Sequence, residues 1–224
     1  MNNTNYKYYD LIACLFVAVL LISNIVSVKI SHFGKLAFDS GTILFPIAYI
    51  FGDILTEVYG YAKSRRIIWT GFLCLVMMAL IMYIVQILPP DPSWPLQNEY
   101  NAILGFVPRL VFASIIAYLI GEFLNSFVLA KLKIKTQGKY LWMRTIGSTI
   151  IGEAADSLVF TFIAFYGVLP AAVMFNVMGT IYVAKVLYEV LATPLTYKIV
   201  GFLKKAEGVD IYDKNTNFTP FKID

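Results

Sequence analysis

Long apolar runs separated by short polar breaks organise this chain. Six segments, roughly 9–30, 40–61, 66–88, 104–130, 144–166 and 171–201, are predominantly apolar, and a membrane span needs about 20 such residues. These runs are too long for barrel strands, and a segment in lipid must satisfy its own backbone groups, so each predicts a helix. The expected fold is an all-α membrane protein, a six-transmembrane-helix bundle over residues 9–203. A short segment, 1–8, precedes it and a polar tail, 204–224, follows. The first run, Leu11 to Val28, lacks a clear small-residue cleavage site and is longer than a usual signal core, so it reads as a retained span. Pro170 suits a helix start. Pro46 and Pro194 fall within segments and are expected to kink or open them. The connection 89–103 holds Pro89, Pro90, Pro92, Pro95 and Trp94 and reads as a stiff cap at the membrane surface. The stretch Lys214 to Asp224 reads as disordered.

The polar exceptions inside these runs carry the functional signal. Asp53, Glu57, Glu122, Glu153, Asp156, Lys185 and Glu189 all lie within spans. A charge at the bilayer centre costs roughly 2.5–3.5 kcal/mol on insertion scales, so these residues are expected to face a cavity, a partner or a substrate path. Helical periodicity sorts them into stripes. Pro46, Tyr49, Asp53, Thr56, Glu57 and Gly60 share one face of the second span. Ser114, Tyr118, Glu122, Asn125 and Ser126 line the fourth, beside Ala113, Ala117 and Gly121 at a spacing that permits close packing or a homodimer contact. Thr145, Ser148, Thr149, Gly152, Glu153, Asp156 and Ser157 fill half of the fifth. Tyr182, Lys185, Glu189, Ala192 and Thr196 mark the sixth, with Tyr188 adjacent. The candidate substrate-binding set is therefore Tyr49, Asp53, Glu57, Glu122, Asn125, Glu153, Asp156, Lys185, Tyr188 and Glu189.

Each stripe also has a plain structural reading. Glu57 is close enough to Arg65 or Arg66 in sequence to pair with one of them, Glu153 and Asp156 can be anchored by Lys185, and Lys185 and Glu189 can neutralise each other one turn apart. As a ligand site, the mixture of carboxylates, an amide and aromatic walls suits a flat heterocycle rich in N–H donors. A hard cation is the competing ligand for such oxygen-rich clusters. Several carboxylates with one lysine cannot all stay ionised in an apolar cavity, so at least one is expected to hold a proton, with Glu122 and Glu189 as candidates for proton coupling.

Composition agrees with a membrane chain. Of 224 residues, 59% are hydrophobic and only 14% charged, against about 25% charged in soluble domains. The net charge of +4 is not a nucleic-acid signal, because the basic residues lie at segment ends. Cys14 and Cys74 fall in apolar runs and read as buried free thiols, and the single histidine, His32, leaves no metal motif. No metal and no cofactor are expected. Lys and Arg collect before the first span, at 63–66, at 131–144 and after 198, which predicts both termini on the cytoplasmic side. A weak internal repeat relates Gly121-Glu122-Phe123-Leu124-Asn125-Ser126 to Gly152-Glu153-Ala154-Ala155-Asp156-Ser157, with Gly52-Asp53 to Glu57 as a looser relative. Repeats of this kind flank sites in transporters.

Five of the six segments carry pieces that resemble the YhhQ family, also called the vitamin uptake transporter family. The pieces are Phe45-Pro46 with Tyr49, Asp53, Glu57 and Tyr59-Gly60; Gly121-Glu122 with Asn125-Ser126 and Ala130-Lys131; Arg144-Thr145 with Ser148-Thr149, Gly152-Glu153 and Asp156-Ser157; and Lys185, Tyr188-Glu189, Thr193-Pro194 and Thr196-Tyr197. The resemblance implies a six-helix, multi-pass protein of the bacterial inner membrane that imports queuosine precursors. These are deazaguanine bases: the cyano form (preQ0), the aminomethyl form (preQ1) or queuine. It implies a small-molecule partner and the lipid bilayer, with no direct nucleic-acid contact. Two other classes stay open. A substrate-capture subunit would need a separate energy-coupling complex. An intramembrane enzyme could use paired carboxylates for acid–base work, but the spans contain no histidine and no His-Glu-x-x-His motif, so a non-enzyme is expected.

Overall fold

In the computed structural model, residues 6–26, 29–33, 36–104, 108–167, 170–214 and 216–221 are described. Their helices are α1 (Tyr9–Val26), α2 (Phe45–Tyr59), α3 (Tyr61–Ile87), α4 (Gln97–Leu104), α5 (Pro108–Lys135), α6 (Leu141–Phe165) and α7 (Ala171–Glu207). Five of them, α1, α3, α5, α6 and α7, contain stretches long and apolar enough to cross a membrane.

The second span differs from expectation. A short antiparallel hairpin, β1 (Ile30–Phe33) with β2 (Leu36–Asp39), and a 3-10 turn (Ser40–Ile43) occupy its approach, and α2 itself has 15 residues. At 1.5 Å per residue α2 rises only about 22 Å, short of the roughly 30 Å hydrocarbon core. The all-α expectation therefore needs the hairpin added, and of the six expected spans five have helices of membrane length. Pro46 explains the boundary, because it stands in the first turn of α2, where its missing N–H costs nothing. It starts the helix rather than kinking it. Gly60 ends α2 with φ +86°, and a Cβ there would strike Ile211 and the Asp213 carboxylate. The chain turns at that glycine directly into α3.

The distribution of residues is inverted relative to a water-soluble protein. Leu73, Met77, Leu80, Ile81, Ile84 and Ile87 line an exposed face of α3, while Asp53, Glu57, Glu122, Asn125, Glu153 and Glu189 are buried. An apolar solvent rewards this arrangement. Apolar packing is concentrated where α1, α2 and α3 meet, through Phe16, Leu20, Ile54, Leu55, Val58 and Ile68.

Helices α5 and α6 form an antiparallel hairpin whose backbones touch at two glycines. A Cβ on Gly152 would lie 2.9 Å from the Gly121 carbonyl, and a Cβ on Gly121 would lie 3.0 Å from the Gly152 carbonyl. The next contacts are also reciprocal: Gly121 faces the Asp156 Cβ at 2.8 Å and Gly152 faces the Asn125 Cβ at 2.8 Å. The small-residue stripe of α5, with Ala113 and Ala117 buried, is thus used within one chain.

Two expectations about connections are corrected. Residues 97–104 of the proline-rich connection form α4, held by Gln97 Nε2 donating to the Gln86 carbonyl at 3.2 Å. The tail is not disordered over its described residues. Helix α7 runs on to Glu207, and the chain then folds back over α3 and α5. The Asp213 carboxylate accepts from the Tyr61 N–H at 3.0 Å, capping α3 with a negative charge. Arg65 Nη1 donates to the Asn217 and Thr219 carbonyls at 2.7 Å each, and Trp69 Nε1 donates to the Pro220 carbonyl at 2.7 Å. Glu207 in turn accepts from the Lys7 and Tyr8 N–H groups at 2.7 and 2.6 Å, ahead of α1. Both described ends of the chain therefore lie at the same end of the bundle. The cysteine expectation also changes, because Cys14 is exposed and Cys74 half-buried, on helix faces turned outward.

Candidate functional site

The polar stripes of α2, α5, α6 and α7 meet in two separate clusters. The first sits at the end of the bundle that holds the termini. Glu57, fully buried, accepts at Oε1 from Arg144 Nη2 at 3.0 Å and Lys204 Nζ at 2.6 Å, with Lys133 Nζ at 3.5 Å. Lys133 also donates to the Glu57 carbonyl at 2.5 Å. Asp210 joins both lysines, at 2.8 and 2.9 Å. Partial burial works against the ionised form of Asp210, but the two lysines outweigh it and hold its carboxyl below the usual aspartate range. One side chain from α2 thus ties α5, α6, α7 and the tail together. Glu57 does not take Arg65 as its partner, since that guanidinium is committed to the tail carbonyls.

The second cluster lies deeper. Asn125 Nδ2 on α5 donates to Asp53 Oδ1 on α2 at 2.6 Å. Lys185 on α7 pairs with Asp156 at 2.5 Å and Glu153 at 2.8 Å, both on α6. The Lys185 ammonium stands 6.0 Å from the centre of the Tyr49 ring, and that ring meets Tyr118 edge-to-face at 6.4 Å. Glu122 closes against Gly52 of α2, where no larger residue would fit. Asp53 lies within repulsive reach of Glu189, Glu122 and Glu57, and Glu189 within reach of Glu153. Five carboxylates, Asp53, Glu122, Glu153, Asp156 and Glu189, surround one lysine. Formally that is an excess of four negative charges.

The structure therefore brings together eight of the ten candidate residues: Tyr49, Asp53, Glu122, Asn125, Glu153, Asp156, Lys185 and Glu189. Glu57 belongs to the basic cluster. Tyr188 is 37% exposed and turned towards the outside of α7. Lys185 takes Glu153 and Asp156; other buried side-chain atoms of the cluster without a hydrogen-bond partner among the described residues include Asp53 Oδ2, Glu122 Oε2, Glu189 Oε1, Asn125 Oδ1 and the Tyr49 hydroxyl. A surface cleft of about 590 Å³ beside Phe175 and Val183 and one of about 430 Å³ beside Phe123 and Phe218 both lie away from these groups. The members of the cluster are almost wholly shielded from solvent.

Sequence reasoning missed the basic partners of Glu57, reading Lys133, Arg144 and Lys204 as topology signals alone. The signal was present: Glu122, Ser126, Leu129 and Lys133 share a face of α5, as do Arg144, Ser148 and Gly152 on α6. It also missed a hydroxyl junction between α2, α3 and α5, where Thr56 Oγ1 donates to Ser64 Oγ at 2.8 Å and Ser126 Oγ lies 3.1 Å away.

Residues 39–199, from the hairpin through most of α7, match the profile of the vitamin uptake transporter family. The chain belongs to the vitamin uptake transporter family. It is 28% identical over 176 residues to a Bacillus subtilis (strain 168) protein named "Probable queuosine precursor transporter", covering 78% of this chain and 77% of that one. It is 31% identical over 126 residues to the "Queuosine precursor transporter" of Escherichia coli (strain K12), covering 56% of this chain and 54% of that one. A Haemophilus influenzae protein, "Probable queuosine precursor transporter", is 29% identical over the same length, 56% of this chain and 51% of that one. No solved structure shows a significant match. With its membrane-length helices, this member of a transporter family is a multi-pass protein of the bacterial inner membrane.

Proposed function

We propose that the protein imports queuosine precursors, deazaguanine bases, by alternating access around the deep cluster. One observation carries this reading: a buried, intramembrane group of carboxylates, one amide and a tyrosine ring, in a chain similar to proteins named for that transport. A deazaguanine presents adjacent ring and exocyclic N–H donors beside a carbonyl. Carboxylates such as Asp53 accept the former, the Asn125 amide pairs with either kind, and Tyr49 offers a face for stacking. The family's transport role supports a carrier rather than an enzyme. In this reading six segments span the membrane, with α2 and the 3-10 turn before it acting as the short one. The basic end faces the cytoplasm in this reading, which the Lys and Arg distribution supports.

Uptake decides the matter. Cells unable to make queuosine should recover it in their transfer RNA when they express this chain and receive the cyano, aminomethyl or queuine base. Asp53→Asn should abolish that recovery with the protein still in the membrane. If no base restores the modification while the protein is present at normal level, the substrate assignment is wrong. Varying the external pH in the same assay reads proton coupling: uptake should rise as pH falls if Glu122 carries a proton inward. Orientation is read separately, after Cys14 and Cys74 are replaced. A cysteine at the exposed Ser93 should react with an impermeant thiol reagent added outside, and one at the exposed Lys139 should not.

A further inference from the structure

We propose that the deep cluster selects a cationic ligand, and that Glu189 receives the ammonium of an aminomethyl-substituted base. This rests on the reading of the chain as a carrier of deazaguanines and adds which chemical form it takes.

The charge distribution within the cluster is uneven. On the α6 side, Lys185 already pairs with Glu153 and Asp156. On the α2, α5 and α7 side, Asp53, Glu122 and Glu189 have no basic partner among the described residues. Asp53 has one amide donor and Glu122 one hydroxyl, Ser126 Oγ at 3.5 Å. Glu189 has neither, and its side chain is 1% exposed. A buried carboxylate with no donor is costly unless a cation or a proton arrives with the ligand. Among the described residues no three acidic groups converge closely enough to hold a metal ion, and the cation proposed here is an organic one.

A second feature, independent of the acids, marks the same place as a ligand site. The Tyr49 hydroxyl, on a fully buried residue, has no hydrogen-bond partner among the described residues. It converges with the Asp156 Cβ over Gly121, within electrostatic reach of Glu153 and Glu122. A polar tip placed there without a partner is explained by a ligand that supplies one. The ring of a bound base then lies against Tyr49, with Asp53 and Asn125 at its edge once their mutual hydrogen bond opens to it. Its aminomethyl arm, an aliphatic amine that stays protonated at neutral pH, extends to Glu189 one turn below Lys185. Charge-assisted hydrogen bonds are about twice as strong as neutral ones, so the arm dominates discrimination between otherwise similar bases.

The test is a ligand series on purified full-length protein. Three bases share one ring and differ only in the arm: aminomethyl, which is cationic; hydroxymethyl, its neutral isostere; and cyano, neutral and linear. Calorimetry on the wild type should show the aminomethyl base binding at least about tenfold tighter than either neutral base. Glu189→Gln should bring the three within about threefold of one another, mainly by weakening the aminomethyl base, while the neutral bases keep their affinity. Equal affinities in the wild type overturn the cationic selection without touching the carrier reading. Equal weakening of all three bases in Glu189→Gln overturns the ammonium contact and makes Glu189 a structural or ring-binding group. If Glu189→Gln does not accumulate, Glu189→Asp keeps the charge and withdraws it by one methylene; an undiminished preference there overturns the contact equally. If none of the three bases binds the folded wild type, the carrier assignment itself falls.

Discussion

The two buried clusters use the same residue types to opposite ends. Around Glu57, three cations from three helices converge on one carboxylate, and Asp210 completes the balance to within a single charge. Around Lys185, five carboxylates share one ammonium. The first cluster is nearly neutral and its members hold one another. The second is far from neutral; buried atoms without a partner among the described residues occur in both, Glu57 Oε2 and two Arg144 nitrogens in the first included, so the charge balance is what separates them. Buried charge that is matched locks helices together. Buried charge that is unmatched awaits something from outside. In a carrier both are needed, because a site that binds and releases a ligand requires an end of the bundle that does not come apart by chance.

The sharpest way to break this contrast is to remove the shared partner. Glu57→Ala strands Lys133, Arg144 and Lys204 in a buried position, and losing one partner of a buried ion cluster costs about 3–5 kcal/mol. The variant should fail to accumulate in membranes or should unfold at a much lower temperature in detergent, measured by fluorescence-detected size-exclusion after heating. A variant as stable as wild type would remove the locking role.

Asp156→Asn and Glu153→Gln test the other side. Each loses a charge-assisted hydrogen bond to Lys185, worth about 1.5–3 kcal/mol, and by releasing the ammonium that faces the Tyr49 ring both should weaken base binding roughly tenfold while the protein remains folded. Unaltered affinity in both would show that the Lys185 pairing does not shape the ligand site. Between these extremes lie the crossing glycines. Gly152→Ala and Gly121→Ala each drive a methyl against a backbone carbonyl on the facing helix. Overpacking of this kind costs about 1–3 kcal/mol; the backbone contacts are reciprocal, but a methyl on Gly121 also meets the Tyr49 hydroxyl, so Gly121→Ala should lose the more in melting temperature. A larger loss for Gly152→Ala would contradict this order.

The smallest effect belongs to the half-exposed member of the basic cluster. Asp210 is 45% exposed, so its pairs with Lys133 and Lys204 are partly screened and contribute under about 1 kcal/mol. Its folded-state carboxyl is held below the usual aspartate value, so its contribution is present at neutral pH and disappears as pH falls below about 4. The melting temperatures of wild type and Asp210→Asn should differ slightly at pH 7 and converge on acidification. Divergence on acidification would contradict the sign.

The sequence by itself determined the membrane character, because runs such as 66–88 are too apolar and too long for any other solvent. It also determined which faces are polar, since a 3.6-residue period places Asp53 above Tyr49, Glu153 beside Asp156 and Glu189 one turn from Lys185. Helical periodicity is local, so those stripes were legible without a partner helix in view. What each stripe meets is not local. That Glu57 answers to Arg144 and Lys204 rather than to Arg65, that Tyr188 looks outward, and that the tail caps α3 through Asp213 all depend on how helices rotate and cross. The contact of Gly121 with Gly152 sets that crossing for α5 and α6, because two backbones can approach so closely only where neither residue has a side chain. Pairing across helices, and with it the division into one balanced and one unbalanced cluster, was decided by tertiary packing alone.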